Sequence, residues 1–159
     1  MRLNHLRTGL AAAALVSFVS FGTAQAADEF FIADTAKNIA INGYDAVAYH
    51  TVGEPTKGSA DFKFEHDGVV WKFSSAENKE AFKADPAKFA PAYGGWCATG
   101  TSKGKKIPTQ PHLFEVVDGT LYLNSSDGAH RVFQEDRPGT ITSADTNWTK
   151  IESKPAAEL

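Results

Sequence analysis

The sequence predicts a small single domain of the α+β class, built from antiparallel β-hairpins with short helices packed against them. Two stretches with strand character each contain an Asp-Gly pair, at Asp67-Gly68 and Asp118-Gly119, and this arrangement is typical of a hairpin turn. A helix-start pattern follows the first hairpin, and a second helical segment follows the other. No internal repeat and no second domain is apparent in the sequence.

The predicted elements before the first turn are an extended lead-in over 28–42, a strand over 46–50, a loop over 53–58 and a strand over 62–66. Segment 46–50 is apolar and ends in Tyr-His, which favours a strand. Segment 53–58 contains a proline and two glycines, which is typical of a loop. Segment 62–66 alternates apolar with polar residues and therefore predicts a half-buried strand.

After the turn, residues 69–73 complete the first hairpin. Ser74, with Glu77 three residues later, forms a capping-box pattern and predicts a helix over 76–84. A proline opens a second short helix over 86–89, and the proline at position 91 stops it. The predicted core consists of large apolar residues from the hairpins and these helices: Trp71, Phe73, Phe82, Phe89 and Tyr122.

The second half repeats the alternation of strands and helices. The predicted elements are strands over 114–117 and 121–123, a helix over 127–136 and a last helix within 141–148. Val132 and Phe133 are expected to face inward. The glycine-rich segment 93–104 predicts a loop, whose tip we expect to carry three solvated lysines: Lys103, Lys105 and Lys106. Residues 153–159 are predicted to form a disordered tail.

The N-terminus has the three parts of a secretory signal peptide over 1–26. Arg2 and Arg7 are positive, a short apolar stretch follows, and Ala24-Gln25-Ala26 is an A-x-A cleavage site. The sequence therefore predicts a periplasmic or secreted protein whose mature chain begins at Ala27. Without the two arginines, 14 basic residues of the original 16 remain against 19 acidic ones, a net charge of −5. This acidic balance argues against nucleic acid as a partner, and no later segment of the mature chain is predicted to span a membrane.

Cys97 is the only cysteine, and it lies in the stretch Tyr93-Gly94-Gly95-Trp96-Cys97-Ala98. A lone thiol in an oxidising compartment is buried and inert, paired with another molecule, or used for its sulfur chemistry. A thiolate suits Cu(I) or Zn(II). His112, which follows the glycine-rich segment, is the best predicted partner ligand, and His50 is the next.

The ordered motifs resemble the YHS domain family, specifically its exported stand-alone members. The matching segments are 42–49, 71–78, 85–91 and 93–98, extended by 117–119, 121–124, 144–145 and 147–148. The resemblance assigns residues 27–152 to one YHS-like domain. Related domains attached to copper-transporting ATPases resemble metal-binding modules with two cysteines, but here Ala48 stands at the first cysteine position and Ser74 stands near the second.

Three functions remain open at this point. The first is an exported, non-enzymatic binding module in which Cys97 anchors copper, zinc or another soft metal. The second is a structural or interaction domain in which Cys97 is a small buried residue. The third is a thiol-dependent redox protein. Catalysis is the weakest of these, because the sequence has no C-x-x-C motif and no second thiol.

Overall fold

A computed structural model describes residues 38–159. The predicted signal peptide, 1–26, and most of the predicted lead-in, 28–42, lie outside these residues. The described residues form helices and two antiparallel two-stranded sheets, so the predicted α+β class is confirmed. No helix among residues 38–159 is long and apolar enough to cross a membrane.

Residues 38–159 contain four strands and six α-helices. The strands are β1 (Ser59–His66), β2 (Val69–Phe73), β3 (Gln110–Val117) and β4 (Thr120–Asn124). The helices are α1 (Ala46–Thr51), α2 (Ala76–Ala84), α3 (Pro86–Phe89), α4 (Ala98–Thr101), α5 (Asp127–Glu135) and α6 (Arg137–Ile151). Three 3-10 turns lie at Ile41–Gly43, Ala92–Gly95 and Ala156–Glu158.

The predicted strand over 46–50 is wrong, because these residues form helix α1. The side chain of Asp45 accepts hydrogen bonds from the backbone N–H groups of Val47 and Ala48, which caps the start of the helix. A short apolar run is compatible with either a buried strand or a buried helix, and its periodicity does not separate the two. Here the preceding aspartate decides in favour of the helix.

The predicted first hairpin and helix are present, with a different cap. Ser75, not Ser74, precedes α2, and its hydroxyl accepts the backbone N–H of Asn78 at 3.1 Å. The hydroxyl of Ser74 instead donates to Asp45. Only Ser74 has a glutamate three residues later, but its hydroxyl is bound to Asp45, and the adjacent Ser75 caps the helix instead.

The second half differs from the sequence predictions at several points. Phe133 is buried as expected, but Val132 is 43% exposed. Helix α6 spans Arg137–Ile151 and is longer than the predicted 141–148. Lys106 is buried rather than solvated, because its ammonium group donates to the carbonyls of Glu152 and Lys154. The segment 153–159, predicted to be disordered, contains this Lys154 contact and a 3-10 turn.

Two apolar clusters form the core. The larger cluster contains four of the predicted core residues, namely Trp71, Phe73, Phe82 and Phe89. Tyr122 was predicted to join them, but it packs in the second cluster with Tyr93 and Phe133. Neighbouring residues of a strand point to opposite faces, so Leu121 and Leu123 extend from β4 into the larger cluster while Tyr122 faces away. Strand β4 therefore joins the two clusters.

The structure reveals an internal repeat that the sequence did not. The hairpin β1–β2 with α2 and the hairpin β3–β4 with α5 have the same architecture at a spacing of 51 residues. The pairing Phe64↔Trp71 in the first hairpin corresponds to Glu115↔Tyr122 in the second. Both ladders also shift register at the same point, between Ser59 and Lys63 and between Gln110 and Phe114. We call these halves the first unit and the second unit.

The repeat extends into the segment before each hairpin, where the spacing is 52 residues. Left-handed backbone conformations occur at Ile41–Gly43 and again at 93–95. The N–H of Asp45 donates to the carbonyl of Thr56, and the N–H of Cys97 donates to that of Ile107. Asp45 caps α1, and Cys97 caps α4. Cys97 is therefore the counterpart of Asp45.

Candidate ligand pocket over Cys97

A pocket of about 350 Å³ lies between α4, α5 and the segment that leads from α4 to β3. It is lined by a mixture of apolar, hydroxyl and backbone groups and one cationic side chain: Cys97, Thr99, Gly100, Lys103, Ile107, Ser125, Ser126, Gly128, Ala129 and Val132. Its size and mixed lining are typical of small-molecule sites. It is the cavity that contains the chain's only thiol.

The side chain of Cys97 forms the floor of this pocket. The residue is 0% exposed, and its Sγ accepts the backbone N–H of Gly100 at 3.3 Å. The thiol also donates to Oδ1 of Asn124, with 3.7 Å between the two heavy atoms. Gly100 packs closely over the thiol, since an added Cβ would lie 3.3 Å from the Cβ of Cys97. The sulfur is thus held by hydrogen bonds and shielded from bulk water.

Asn124 lies behind the pocket floor and is 0% exposed. Its Oδ1 accepts the hydroxyl of Thr99 at 3.0 Å and the N–H of the same residue at 3.5 Å. The Thr99 hydroxyl is also 2.8 Å from the carbonyl of Ala129, which connects α4 to α5. The Nδ2 of Asn124 has no hydrogen-bond partner among the described residues. A buried donor without a partner is unfavourable and therefore calls for an explanation.

The rim of the pocket combines apolar and donor groups. Val132 and Ile107 are 43% and 38% exposed, two of the most exposed large apolar residues in the described chain. Lys103 contributes an exposed cation. Ser126 caps α5 by accepting the N–H of Ala129, whereas Ser125 donates no hydrogen bond to another residue of the described part. The rim therefore offers an apolar wall beside unused donors.

The structure does not assemble the predicted metal ligands into a cluster. His112 is exposed on β3, and His50 lies in α1 with its ring 5.4 Å from the ring of Phe89. Neither histidine lines the pocket that contains Cys97. Within residues 38–159, no group of three or more His, Cys, Asp or Glu side chains is arranged to hold a metal ion. The set of Cys97, His112 and His50 remains a prediction.

His50 has an environment of its own. Burial lowers the pKa of its imidazole, a hydrogen bond with the backbone of Phe89 opposes this effect, and the nearby Lys88 adds to the lowering. Its Nε2 is buried and has no partner among the described residues. The neutral ring is therefore favoured, which is the form in which histidine binds a metal.

Sequence reasoning missed the carboxylate of Asp45, which is 0% exposed and fully hydrogen-bonded. Its Oδ1 accepts the two N–H groups of α1, and its Oδ2 accepts the N–H of Ser74, the hydroxyl of Ser74 and the Nδ2 of Asn78. These are motif residues of the predicted family resemblance, and they hold α1 against β2 and α2. In this segment the motif positions serve the fold.

Reasoning from the sequence also missed Asn124 and Ser125. The signal that could have found them is the spacing of 51 residues, which pairs Ser74-Ser75 with Ser125-Ser126 and Asp67-Gly68 with Asp118-Gly119. In such an alignment Asn124 is equivalent to Phe73, so that a polar residue replaces a large apolar one. The alignment also places Cys97 near Asp45.

Comparison with known protein families identifies one domain in the chain. The family model for the YHS domain matches residues 47–93, a segment that runs from α1 into the 3-10 turn before Cys97. The predicted resemblance is therefore confirmed for the first unit, and Cys97 lies just beyond the matched residues. Comparisons with curated proteins and with solved structures found no significant match.

Proposed function

We propose that this chain, with its YHS domain over residues 47–93, is an exported, non-enzymatic binding module whose ligand site is the pocket over Cys97. The observation that carries the proposal is the pocket itself, about 350 Å³ in volume with an apolar rim and a few polar groups. Export rests on the A-x-A pattern of the N-terminus.

The surroundings of Cys97 support binding rather than catalysis. A nucleophilic thiol needs a neighbouring base or electropositive surroundings, because these favour the reactive thiolate. The described hydrogen-bond partners of Sγ are a backbone N–H and an amide oxygen. Lys103 is the only charged side chain in the pocket lining, and it is exposed at the rim. A redox role would also require the sulfur to be accessible, and Cys97 is 0% exposed.

Copper or zinc binding through Cys97 is the second candidate. It is favoured by the place of Cys97 among the residues that line the pocket and by the preference of Cu(I) for sulfur ligands. The missing cluster of donors within residues 38–159 counts against a closed structural site. Any soft-metal site would have to be completed by ligands from outside the described pocket.

A single comparison tests the pocket as the binding site. Val132→Trp places an indole in the pocket lining, whereas Val116→Trp makes the same change at an exposed position on β3 that does not line the pocket. Backbone amide NMR spectra would be recorded with small organic fragments of anionic, cationic and neutral type. We expect shifts at Gly100, Ser125 and Gly128 that disappear in Val132→Trp only.

A separate experiment tests metal binding through Cys97. The reduced mature protein would compete with a chromophoric chelator for Cu(I), and Cys97→Ser should abolish any binding through the thiol. His112→Ala should weaken binding more than His130→Ala if His112 is a ligand. If no fragment shifts the pocket amides and Cu(I) is not retained, the proposed function is wrong.

A further inference from the structure

We propose that the pocket over Cys97 binds a small organic carboxylate, whose carboxyl group occupies the place that the Asp45 carboxylate fills in the first unit. This inference rests on the proposed function and names the chemical class of the ligand. It is carried by the comparison of the two units, because the same architecture holds an internal carboxylate in one of them.

The first unit defines how a carboxylate is held at this place. Asp45 is 0% exposed and accepts hydrogen bonds from α1, from Ser74 and from Asn78. The distances from its Oδ2 to the N–H and hydroxyl of Ser74 and to Nδ2 of Asn78 are 2.8, 2.6 and 2.7 Å. Such short bonds from several donors are typical of an ionised carboxylate.

The second unit lacks the acceptor and keeps part of the donor set. Cys97 replaces Asp45, which removes the carboxylate, and Ala129 replaces Asn78, which removes the amide that reaches across to it. Ser125 remains at the position of Ser74. These two substitutions shorten the side chains at the pocket, since Cys97 and Ala129 both line it, together with the retained Ser125.

The donors of the second unit are left without an internal acceptor. Ser125 donates no hydrogen bond to another described residue, although its counterpart Ser74 donates two. Asn124 stands where the first unit has Phe73, and its buried Nδ2 has no partner among the described residues. The contacts of Asn124 with Cys97 and Thr99, behind the pocket floor, are made by its Oδ1. A role for Cys97 as a helix cap alone does not account for the buried Nδ2 of Asn124, and the half-buried Ser125 lines the pocket, where a ligand could accept from its hydroxyl.

The remaining lining indicates the rest of the ligand. Lys103 supplies an exposed positive charge at the rim, which favours an anion. Ile107 and Val132 supply exposed apolar surface next to it. A ligand with a carboxylate head and a short apolar tail would match both the positive charge of Lys103 and this apolar surface. The pocket volume of about 350 Å³ accommodates a molecule of this size.

Butyrate and butyramide are a matched pair of probes, because they share shape and differ in charge. NMR titration of the full mature protein should show butyrate binding with a dissociation constant on the order of millimolar and butyramide binding about tenfold more weakly. Equal binding of the two probes would overturn the carboxylate assignment while leaving the binding module intact. Shifts from neither probe would also overturn the carboxylate assignment, and if in addition no other fragment binds and Cu(I) is not retained, the proposed function is wrong as well.

A variant that restores the internal carboxylate provides a second test of the carboxylate assignment. Cys97→Asp with Ala129→Asn recreates the Asp45–Asn78 pair, and Ser125 can donate to the new carboxylate as Ser74 donates to Asp45. We expect this protein to fold and to lose butyrate binding. A folded variant that binds butyrate as the wild type does would overturn the proposal.

If the double variant does not fold, Ser125→Ala still tests whether the pocket binds the carboxylate. It removes the retained donor and should weaken butyrate binding by about tenfold. Ser143→Ala, at an exposed position of α6, is the matched control and should bind as the wild type does. Unchanged butyrate affinity in Ser125→Ala would contradict the inference.

Discussion

Oδ2 of Asp45 accepts hydrogen bonds from both the backbone N–H and the hydroxyl of Ser74, 29 positions later in the sequence. A third donor, Nδ2 of Asn78, reaches the same oxygen from α2. Because Oδ1 simultaneously caps α1, one buried carboxylate connects three elements of the first unit. Buried charge is tolerated in proteins when its hydrogen-bonding capacity is satisfied in this way.

Asp45→Ala should therefore lower the free energy of unfolding by roughly 3 kcal/mol, because it leaves several buried donors without an acceptor. Urea denaturation followed by circular dichroism measures this loss. Asp127→Ala, which removes an exposed carboxylate from the first turn of α5, is the control and should change stability by less than about 1 kcal/mol. Similar values for the two variants would show that the Asp45 network contributes little.

Ser74 and Ser125 occupy equivalent positions and should respond differently to the same change. Ser74→Ala removes a hydroxyl that donates to Asp45 at 2.6 Å and should cost about 1.5–3 kcal/mol. Ser125→Ala removes a hydroxyl without a partner in the described chain and should change stability by no more than about 0.5 kcal/mol. Denaturant midpoints of the two variants provide the comparison. A large loss in Ser125→Ala would mean that this hydroxyl has a structural role.

Phe82 and Phe133 are a second equivalent pair, and each is 0% exposed in its own apolar cluster. Phe82→Ala and Phe133→Ala should each lower the free energy of unfolding by about 3–5 kcal/mol. If the clusters unfold together through β4, both variants should also show one cooperative transition by fluorescence and by circular dichroism. Two separate transitions would indicate that the units unfold independently.

Cys97 should react slowly with thiol reagents in the folded protein, because the residue is 0% exposed and its sulfur is packed under Gly100. Labelling with a chromogenic disulfide in the presence and absence of urea measures the protection. Cys97→Ala should cost about 1–2 kcal/mol through the lost cap and the small cavity. Immediate and complete labelling of the native protein would instead favour the redox interpretation.

The hairpins were predictable from sequence because their turns are encoded locally. Asp67 and Asp118 both adopt a left-handed conformation followed by a glycine, which the Asp-Gly pair alone indicates. Helix α1 was not predictable, because its short apolar run shows no periodicity that separates a helix from a strand. The aspartate that caps it is held in place by residues distant in the sequence, Ser74 and Asn78. The repeat was hidden because few equivalent positions are identical, and hydrogen-bond register, rather than residue identity, relates the two units.

The candidate site was only partly predictable. The sequence drew attention to Cys97 because it is the sole cysteine, but the histidines chosen as its partners do not line its pocket. Asn124 and Ser125 come from a hairpin 27 and 28 positions further on, and nothing local in their sequence distinguishes them from strand-end residues. Only the packing of α4 against α5 and β4 reveals that Ser125 lines the pocket of the thiol and that Asn124 contacts the thiol from behind it.

Glu115 on β3 forms the main polar contact between the second hairpin and the helices after it. Its carboxylate accepts from Nε of Arg137 at 2.5 Å, from Nη2 of Arg137 at 3.0 Å and from Nε2 of Gln134 at 2.8 Å. His130 lies nearby, with its Nε2 3.4 Å from Oε1. The hydrogen bond from Arg137 is the largest cause that lowers the pKa of Glu115, and the Gln134 hydrogen bond and the electrostatic effects of Arg137 and His130 act in the same direction against the effect of burial.

A lowered pKa in the folded state means that the Glu115 interaction stabilises the protein above the unfolded-state pKa of about 4.3 and is lost as the pH falls through the folded value. Glu115→Gln should therefore be less stable than the wild type at pH 7, and the difference should shrink as the pH approaches about 3. Urea denaturation at a series of pH values measures this convergence. Glu135→Gln, at an exposed position of α5, should show no such trend. If the gap between wild type and Glu115→Gln stayed constant down to low pH, the ionised carboxylate would not be the source of the stabilisation.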